Sequence, residues 1–493
     1  MSESFGHLLT SLSFSSALIA TLMLLWREVR PDEEKAKWAR AGAIAFGIHT
    51  LSVLGIAGYM FGLIANHNYE FHYVWAHSSN ELPIYYMISC FWEGQEGSFL
   101  LWSFWHSILG MFLLWKGPKA WKYLALGVVA SVELVLSSMI LGAYVPTAAV
   151  YIVMGLLVAT PAAYFAYQSS QSLERKGSPI QLGGLMLALV AIITLILGKD
   201  GFAGPWSIGT MFDSSDSIMF TVPLLFLGAY AAYSFVQIFL PGRHFGETVA
   251  SLVLAAGAFS IFFFEIDTWK VGSTPFILLK DAFPNNLVYA SNPDFIPTNG
   301  NGLNSLLQNY WMVIHPPTLF VGFAATAIPF AFVIAGLIRG DYTGWIKPSM
   351  PWTIFSVMIL GIGIIMGGYW AYETLNFGGY WNWDPVENGS LVPWIVGIAS
   401  LHSLLLYQRS KGSLKTSMAL VILTFFLVLY ATFLTRSGIL GDTSVHTFTD
   451  LGLSGQLILL VAIYFIGSTL AMGWRWNAIP SEGKESTFFS ADT

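Results

Sequence analysis

Apolar residues come in runs of about twenty along this chain, separated by short polar stretches, and each run is long enough to cross a bilayer as a helix. About thirteen such spans can be read: 7–26, 41–64, 98–115, 122–145, 149–168, 181–198, 218–240, 249–266, 313–338, 352–372, 391–407, 417–434 and 454–474. A backbone in lipid must satisfy its own hydrogen bonds, so every span is expected to be helical. The expectation is an all-α, polytopic integral membrane protein with short-to-medium loops. The spans group into residues 1–145 (spans one to four, with a loop at 65–97), 146–268 (spans five to eight), 269–474 and a tail, 475–493. No repeat of fixed period is visible. Residues 7–26 read as a retained helix and not a signal peptide, because the only charge before them is Glu3 and the basic cluster follows.

Composition agrees with that pattern. Of 493 residues 55% are hydrophobic, 16% aromatic and 10% charged, against about 25% charged in soluble domains. Lys and Arg then fix an orientation. Of the 22 basic residues only Lys199, Lys270, Lys280 and Arg436 fall in one set of alternate loops; the rest, beginning with Arg27, Arg30, Lys35, Lys37 and Arg40, fall in the other. The N-terminus is therefore expected outside and the C-terminus in the cytoplasm. The net charge of −6 is spread over loops, so no nucleic-acid face is implied. Cys90 is the only cysteine, which excludes an internal disulfide and any CxxC site within the chain.

Three outer segments carry unusual chemistry. "QNYWMVIHPPTLF" places His315 at the mouth of the ninth span, with Pro316 and Pro317 suiting the first turn of a helix. "GGYWNWDPVENGSLVPW" falls in an outer loop at 373–391 and packs Tyr380, Trp381, Trp383, Asp384 and Glu387 together. "FLTRSGILGDTSVHTFTD" brings Arg436 and His446. Zinc would ask for further His or Cys nearby, and no HExxH, CxxC or HxH is present. Two isolated imidazoles beside a broad aromatic surface suit a planar macrocycle, with Arg436 able to pair with a propionate. Tryptophan and tyrosine also anchor helix ends at membrane interfaces, and an interfacial histidine is commonly structural. On residue chemistry alone, heme or quinone binding and a structural role stand level. His402 lies well inside span eleven, where an ionisable side chain suggests function; His49 and His106 also lie within spans as weaker ligand candidates. Glu133 is the main intramembrane acid, too isolated for a continuous ion path.

The Trp-rich loop resembles the WWD signature of the heme-handling protein superfamily. "EGQEGSFLLW", "VIHPPTLF", "WDPVENGSLVPW", "LHSLL" and "FLTRSGILGDTSVHTF" occur in the order found in the cytochrome c-type biogenesis heme lyases of the CcmF family. The resemblance covers about 65–105 and 295–450. It implies a bacterial inner-membrane protein that receives heme from the periplasmic chaperone CcmE under the WWD loop. His315 and His446 would be axial ligands, and Trp381, Trp383 and Asp384 would stand at the signature. His402 would ligate a permanent intramembrane heme b. Heme vinyl groups would then join the CxxCH cysteines of an apocytochrome c, with thiols handled by CcmH. An alternative is a membrane heme transporter, or a heme-based quinol redox carrier without ligation activity. The chain departs from the family at 146–268, where four spans are added. It also stops at Thr493, before the family's later helices and second heme b histidine, so by the resemblance either the chain is a fragment or a separate C-terminal CcmF subunit supplies them.

Overall fold

The computed structural model describes residues 3–146, 268–440, 444, 448 and 452–480. The chain divides into two units, residues 1–143 with 271–493, and residues 144–270. The spans predicted at 149–168, 181–198, 218–240 and 249–266 lie outside the described residues. Two short strands, β1 (Ala143–Pro146) and β2 (Thr268–Val271), pair at the ends of that segment.

Among the described residues nine helices are long and apolar enough to cross a membrane. They are α1 (Glu3–Trp26), α2 (Asp32–Ala65), α3 (Gln95–Lys116), α4 (Lys122–Met139), α5 (Tyr310–Arg339), α6 (Ile346–Thr374), α7 (Pro385–Ser410), α8 (Leu414–Arg436) and α9 (Ser454–Arg475). The chain is an all-α polytopic membrane protein apart from the two strands. The span predicted at 122–145 stops short, at Met139. Gly142 takes the left-handed region at φ +64°, and the Ser273 N–H donates to Met139 O at 2.8 Å, so the backbone leaves the helix there.

α5 lies at the centre, packed against α3, α4, α6, α8 and α9. Its closest approach is to α6, and small residues permit it. A Cβ on Gly322 would lie 2.7 Å from Leu360 Cα, and one on Gly363 would lie 2.9 Å from Leu319 Cα. At the end carrying the C-terminus of α5, Arg339 donates through Nε and Nη2 to Glu28 at 2.8 and 3.0 Å, tying α5 to the end of α1.

The N-terminal helices bury one polar cluster. Glu133 of α4 accepts from the His49 imidazole of α2 at 2.7 Å and from the Ser103 hydroxyl of α3. His106 Nδ1 lies 3.1 Å from its other oxygen, at an angle too oblique for a good hydrogen bond. Glu133 and His49 are fully buried and His106 nearly so. The carboxylate that composition marked as isolated is thus enclosed by two histidines, of which His49 is hydrogen-bonded to it and His106 lies beside it.

At the opposite end of the bundle the two long outer loops knit together. Phe71 bridges Leu278, His72 N–H donates to Ile277 O at 3.0 Å, and Leu279 N–H donates to Glu70 O at 2.8 Å. Further along, Asn301 N–H donates to Trp75 O and Gly302 N–H to Ser78 O. Short helical turns at His72–His77, Ile84–Met87 and Cys90–Glu93 are held against this second loop and form a wall beside α3 and α5.

Candidate functional site

α5 begins six residues before Pro316, because the Asn309 side chain accepts from Trp311 N–H at 2.8 Å and caps it. Pro316 and Pro317 therefore sit in the helix interior and not in its first turn as expected. They remove two backbone bonds beside His315, an interruption that neighbouring helices make tolerable in membranes. His315 faces α6. Its Nδ1 lies 2.8 Å from Gly363 O. A carbonyl only accepts, so Nδ1 carries the proton and Nε2 carries the lone pair that binds a metal. One turn further along α6, a Cβ on Gly367 would stand 2.7 Å from His315 Cε1, so the glycine lets the ring lie against the helix. The spacings 315, 319, 322 on α5 and 360, 363, 367 on α6 put these contacts on one face of each helix.

The WWD segment is half loop and half helix. The loop expected at 373–391 closes at Asp384, and α7 starts at Pro385. Asp384 Oδ1 accepts from Val386 N–H at 2.7 Å and Glu387 N–H at 3.4 Å. Glu387 Oε2 accepts in return from Asn382 N–H at 3.0 Å and Asp384 N–H at 3.3 Å. This is a capping box with Pro385 in the first turn, where no donor is lost. Ser444 also donates to Asp384 Oδ1 at 2.7 Å, tying the loop after α8 to the same cap. Tyr380 stacks on Tyr372 at 4.5 Å and meets Tyr369 edge-on at 5.4 Å, and Tyr369 stacks on Trp311 at 4.9 Å. The rings thus form a sheet across the outer ends of α5 and α6.

A cavity of about 440 Å³ opens beneath this sheet, within the roughly 300–1,000 Å³ usual for small-molecule sites. His315, Tyr380, Trp381, Glu387 and Arg436 all line it. Trp381 is half-buried, and its indole N–H is buried with no partner among the described residues. Arg436 is 4% exposed. Its guanidinium lies over the rings of Phe99, Phe448 and Phe320 at 4.6, 5.0 and 5.7 Å and donates to the Ser98 hydroxyl. Among the described residues it has no ion pair, and its Nε–H is buried without a partner.

Not every expected residue joins this site. Trp383 is 71% exposed, with φ +58°, and does not line the cavity; it meets Trp381 edge-on at 6.3 Å. Its positive φ turns the chain so that alternate rings point in different directions. His402 lies far along α7 on an exposed face, its Nδ1 2.9 Å from Ile398 O one turn back. His446 lies outside the described residues. From the other direction, the outer loops contribute His77, Trp92 and Glu93 to the cavity wall, none of which was singled out in the sequence. The "EGQEGS" run was the one signal that this wall mattered.

Residues 215–440 match the family model described as cytochrome C assembly protein. The chain is 41% identical over 203 residues to the cytochrome c-type biogenesis protein CcmF of Pseudomonas fluorescens, covering 40% of this chain and 30% of that one. It is 33% identical over 316 residues to the cytochrome c-type biogenesis protein CycK of Bradyrhizobium diazoefficiens, covering 61% of this chain and 44% of that one. The chain thus spans less than half the length of these curated relatives. Among solved structures, the cytochrome c heme lyase CcmF aligns with 97% of this chain and 56% of its own, with a TM-score of 0.52 and 18% identity, which speaks for the fold. The matches in sequence and fold agree in kind: the chain is similar to the CcmF and CycK cytochrome c-type biogenesis proteins.

Proposed function

We propose that the outer cavity is a heme-transfer site acting in cytochrome c maturation. Heme is the cargo, and it binds edge-in beneath the tyrosine sheet. His315 Nε2 is one axial ligand and His446 the other. The ring of Trp381 stacks on the macrocycle, and Arg436 pairs with a propionate. Asp384 and Glu387 act through the capping box that fixes the loop, and Trp383 faces outward toward the delivering and receiving proteins. The cavity opens to the periplasm of the bacterial inner membrane, with the N-terminus outside. Heme arrives on a chaperone of the CcmE type. It leaves joined by thioether bonds to the CxxCH of an apocytochrome c, whose thiols are presented by a CcmH-type partner.

The observation that carries this reading is the buried guanidinium of Arg436, which opens on the same cavity as the oriented imidazole of His315 and has no carboxylate among the described residues. Burying a cation without a counter-ion is costly, so the site is complementary to an anionic ligand that also bears a metal. His402 Nδ1 can only donate to Ile398 O, which leaves its Nε2 as a ligand on an outward face of α7. A heme b bound there would take its second ligand from outside the described residues, for example from a C-terminal CcmF subunit.

The test is a hemin titration of the purified chain followed by Soret absorbance. Arg436→Gln should weaken binding about 10- to 100-fold, the value of a charge-assisted hydrogen bond, and His315→Ala should change the iron's spin state. A wild-type chain that binds no hemin, or binding indifferent to both substitutions, overturns the reading.

A further inference from the structure

The cavity wall opposite the WWD loop contains a carboxylate–imidazole pair. His77 ends the short helix His72–His77, and its Nδ1 lies 3.2 Å from Glu93 Oε2, close enough for an ion pair but at an angle too oblique for a good hydrogen bond. The other oxygen of Glu93 accepts from Asn304 N–H at 3.2 Å. The imidazole leans on Tyr73, with ring centroids 4.5 Å apart. Tyr73 is itself pinned: its hydroxyl donates to Phe91 O at 2.9 Å and accepts from Gly94 N–H at 3.0 Å. A Cβ on Gly94 would stand 2.7 Å from His77 Nε2, so the glycine makes room for the ring. Both His77 and Glu93 line the cavity, and their side chains keep 24% and 13% exposure. His77 Nε2 makes no hydrogen bond among the described residues and is not sealed from solvent.

The negative charge of a carboxylate beside Nδ1 favours the tautomer with the proton on Nδ1, whose Nε2 accepts a proton. We propose that His77 is the general base that activates the incoming cysteine thiol during thioether formation, with Glu93 as its positioning residue. This rests on the heme-transfer reading of the cavity. In the step, the thiol S–H proton passes to His77 Nε2 and the sulfur forms a bond to the inner vinyl carbon as the vinyl π bond breaks. The outer vinyl carbon takes up a proton from water, and the imidazolium returns its own to water. Atoms and charge balance, and no oxidant or reductant is consumed. A free thiol has a pKa near ~8.5, so only about 1% is thiolate at pH ~6.5; a positioned base removes that limit. The other titratable groups around the dyad are His72 and Tyr73 on its own helix, Glu96 at the start of α3, and His315, Glu387 and Arg436 across the cavity.

The test uses the full chain in cells that depend on it for c-type cytochromes, grown at pH ~6.5 and ~8.5. The readouts are heme-stained cytochrome c, the membrane level of the chain, and the hemin spectrum of the purified variant. His77→Asn keeps an amide donor for Glu93 but no base; His77→Gln serves if Asn does not accumulate. We expect an unchanged hemin spectrum and affinity, at least a 10-fold fall in maturation rate at pH ~6.5, and recovery to within about threefold at pH ~8.5, where about half the thiol ionises unaided. Glu93→Gln should give a smaller fall with the same alkaline recovery. A loss independent of pH, or no loss, overturns the base. A changed spin state or lost hemin affinity makes His77 a ligand instead. Absence of hemin binding in the wild type would instead sink the heme-transfer reading itself.

Discussion

Gly367→Ala is the smallest change that should disable the site. The new methyl carbon would lie 2.7 Å from His315 Cε1, 3.0 Å from Nε2 and 3.2 Å from Nδ1, whereas ordinary contacts begin near 3.4 Å. α6 packs closely on α5 at this level, since a Cβ on Gly363 one turn away would stand 2.9 Å from Leu319 Cα, and a retreat would give up that packing. The imidazole must therefore move by about half an ångström or more, and the Nδ1–H bond to Gly363 O, now 2.8 Å, is stretched or lost. Losing the partner that orients a metal-binding histidine typically costs 10- to 100-fold in affinity, or about 1.4–2.7 kcal/mol. Hemin titration followed at the Soret band measures this directly. If Gly367 acts only through the ring, Gly367→Ala added to His315→Ala should cost nothing more, a coupling that a double-mutant cycle exposes. Binding by Gly367→Ala within twofold of wild type would show that the observed ring position is not the one that meets iron. Equal further loss in the double variant would show that the methyl acts on the cavity and not on His315.

Three further outcomes are expected. Trp381→Ala should weaken hemin binding by about 1 kcal/mol more than Trp381→Phe, while the exposed Trp383→Ala should leave the titration unchanged and lower only cytochrome c maturation; equal losses at both positions in the titration would refute the different placements. Burial pushes the Cys90 thiol up to about 12; since only the thiolate reacts, maleimide labelling of the folded protein at pH ~8 should be far slower than for an ordinary thiol near ~8.5, and rapid labelling without unfolding would contradict the burial. Glu133→Gln removes the charge shared by His49, His106 and Ser103 and should destabilise the bundle by about 3–5 kcal/mol, read as a lower thermal midpoint in detergent; an unchanged midpoint would mean that the cluster holds no charge.

Hydropathy located all nine described spans because lipid leaves a chain no alternative to apolar helix, but it misplaced the ends that matter. Tyr310–Ile314 and Pro385–Ser390 are helical although they are polar or interfacial, because caps and not hydropathy start those helices. Both caps were written in the chain, as Asn309 ahead of the aromatic pair and as the D-P-V-E of a capping box. His315, Trp381 and Arg436 were legible because each is an odd residue type at a span mouth, and the structure brings all three to one cavity. The opposite facing of Trp383 was not legible, since it depends on one residue at positive φ. The His77–Glu93 pair was hidden for another reason: it joins residues sixteen apart in a loop held in place by a second loop two hundred residues later.

The placement of His402 bears on how many hemes this architecture handles. It stands eighteen residues beyond Asp384 in α7, which at about 1.5 Å per residue is roughly 27 Å along the axis. His315 lies five residues into α5, about one and a half turns from its outer end. The two imidazoles therefore belong to different depths of the bundle, and no single macrocycle spans them. Their surroundings differ in kind as well. His315 lies against α6, whose glycine makes room for its ring, with a half-buried indole and a guanidinium that has no ion pair among the described residues on the same cavity. His402 is exposed on one helix and, among the described residues, is held by its own preceding turn. A ligand at the first position finds its walls within this chain, which suits a cargo that is captured and released. A ligand at the second finds one wall, so its residence depends on whatever helix packs against that face of α7.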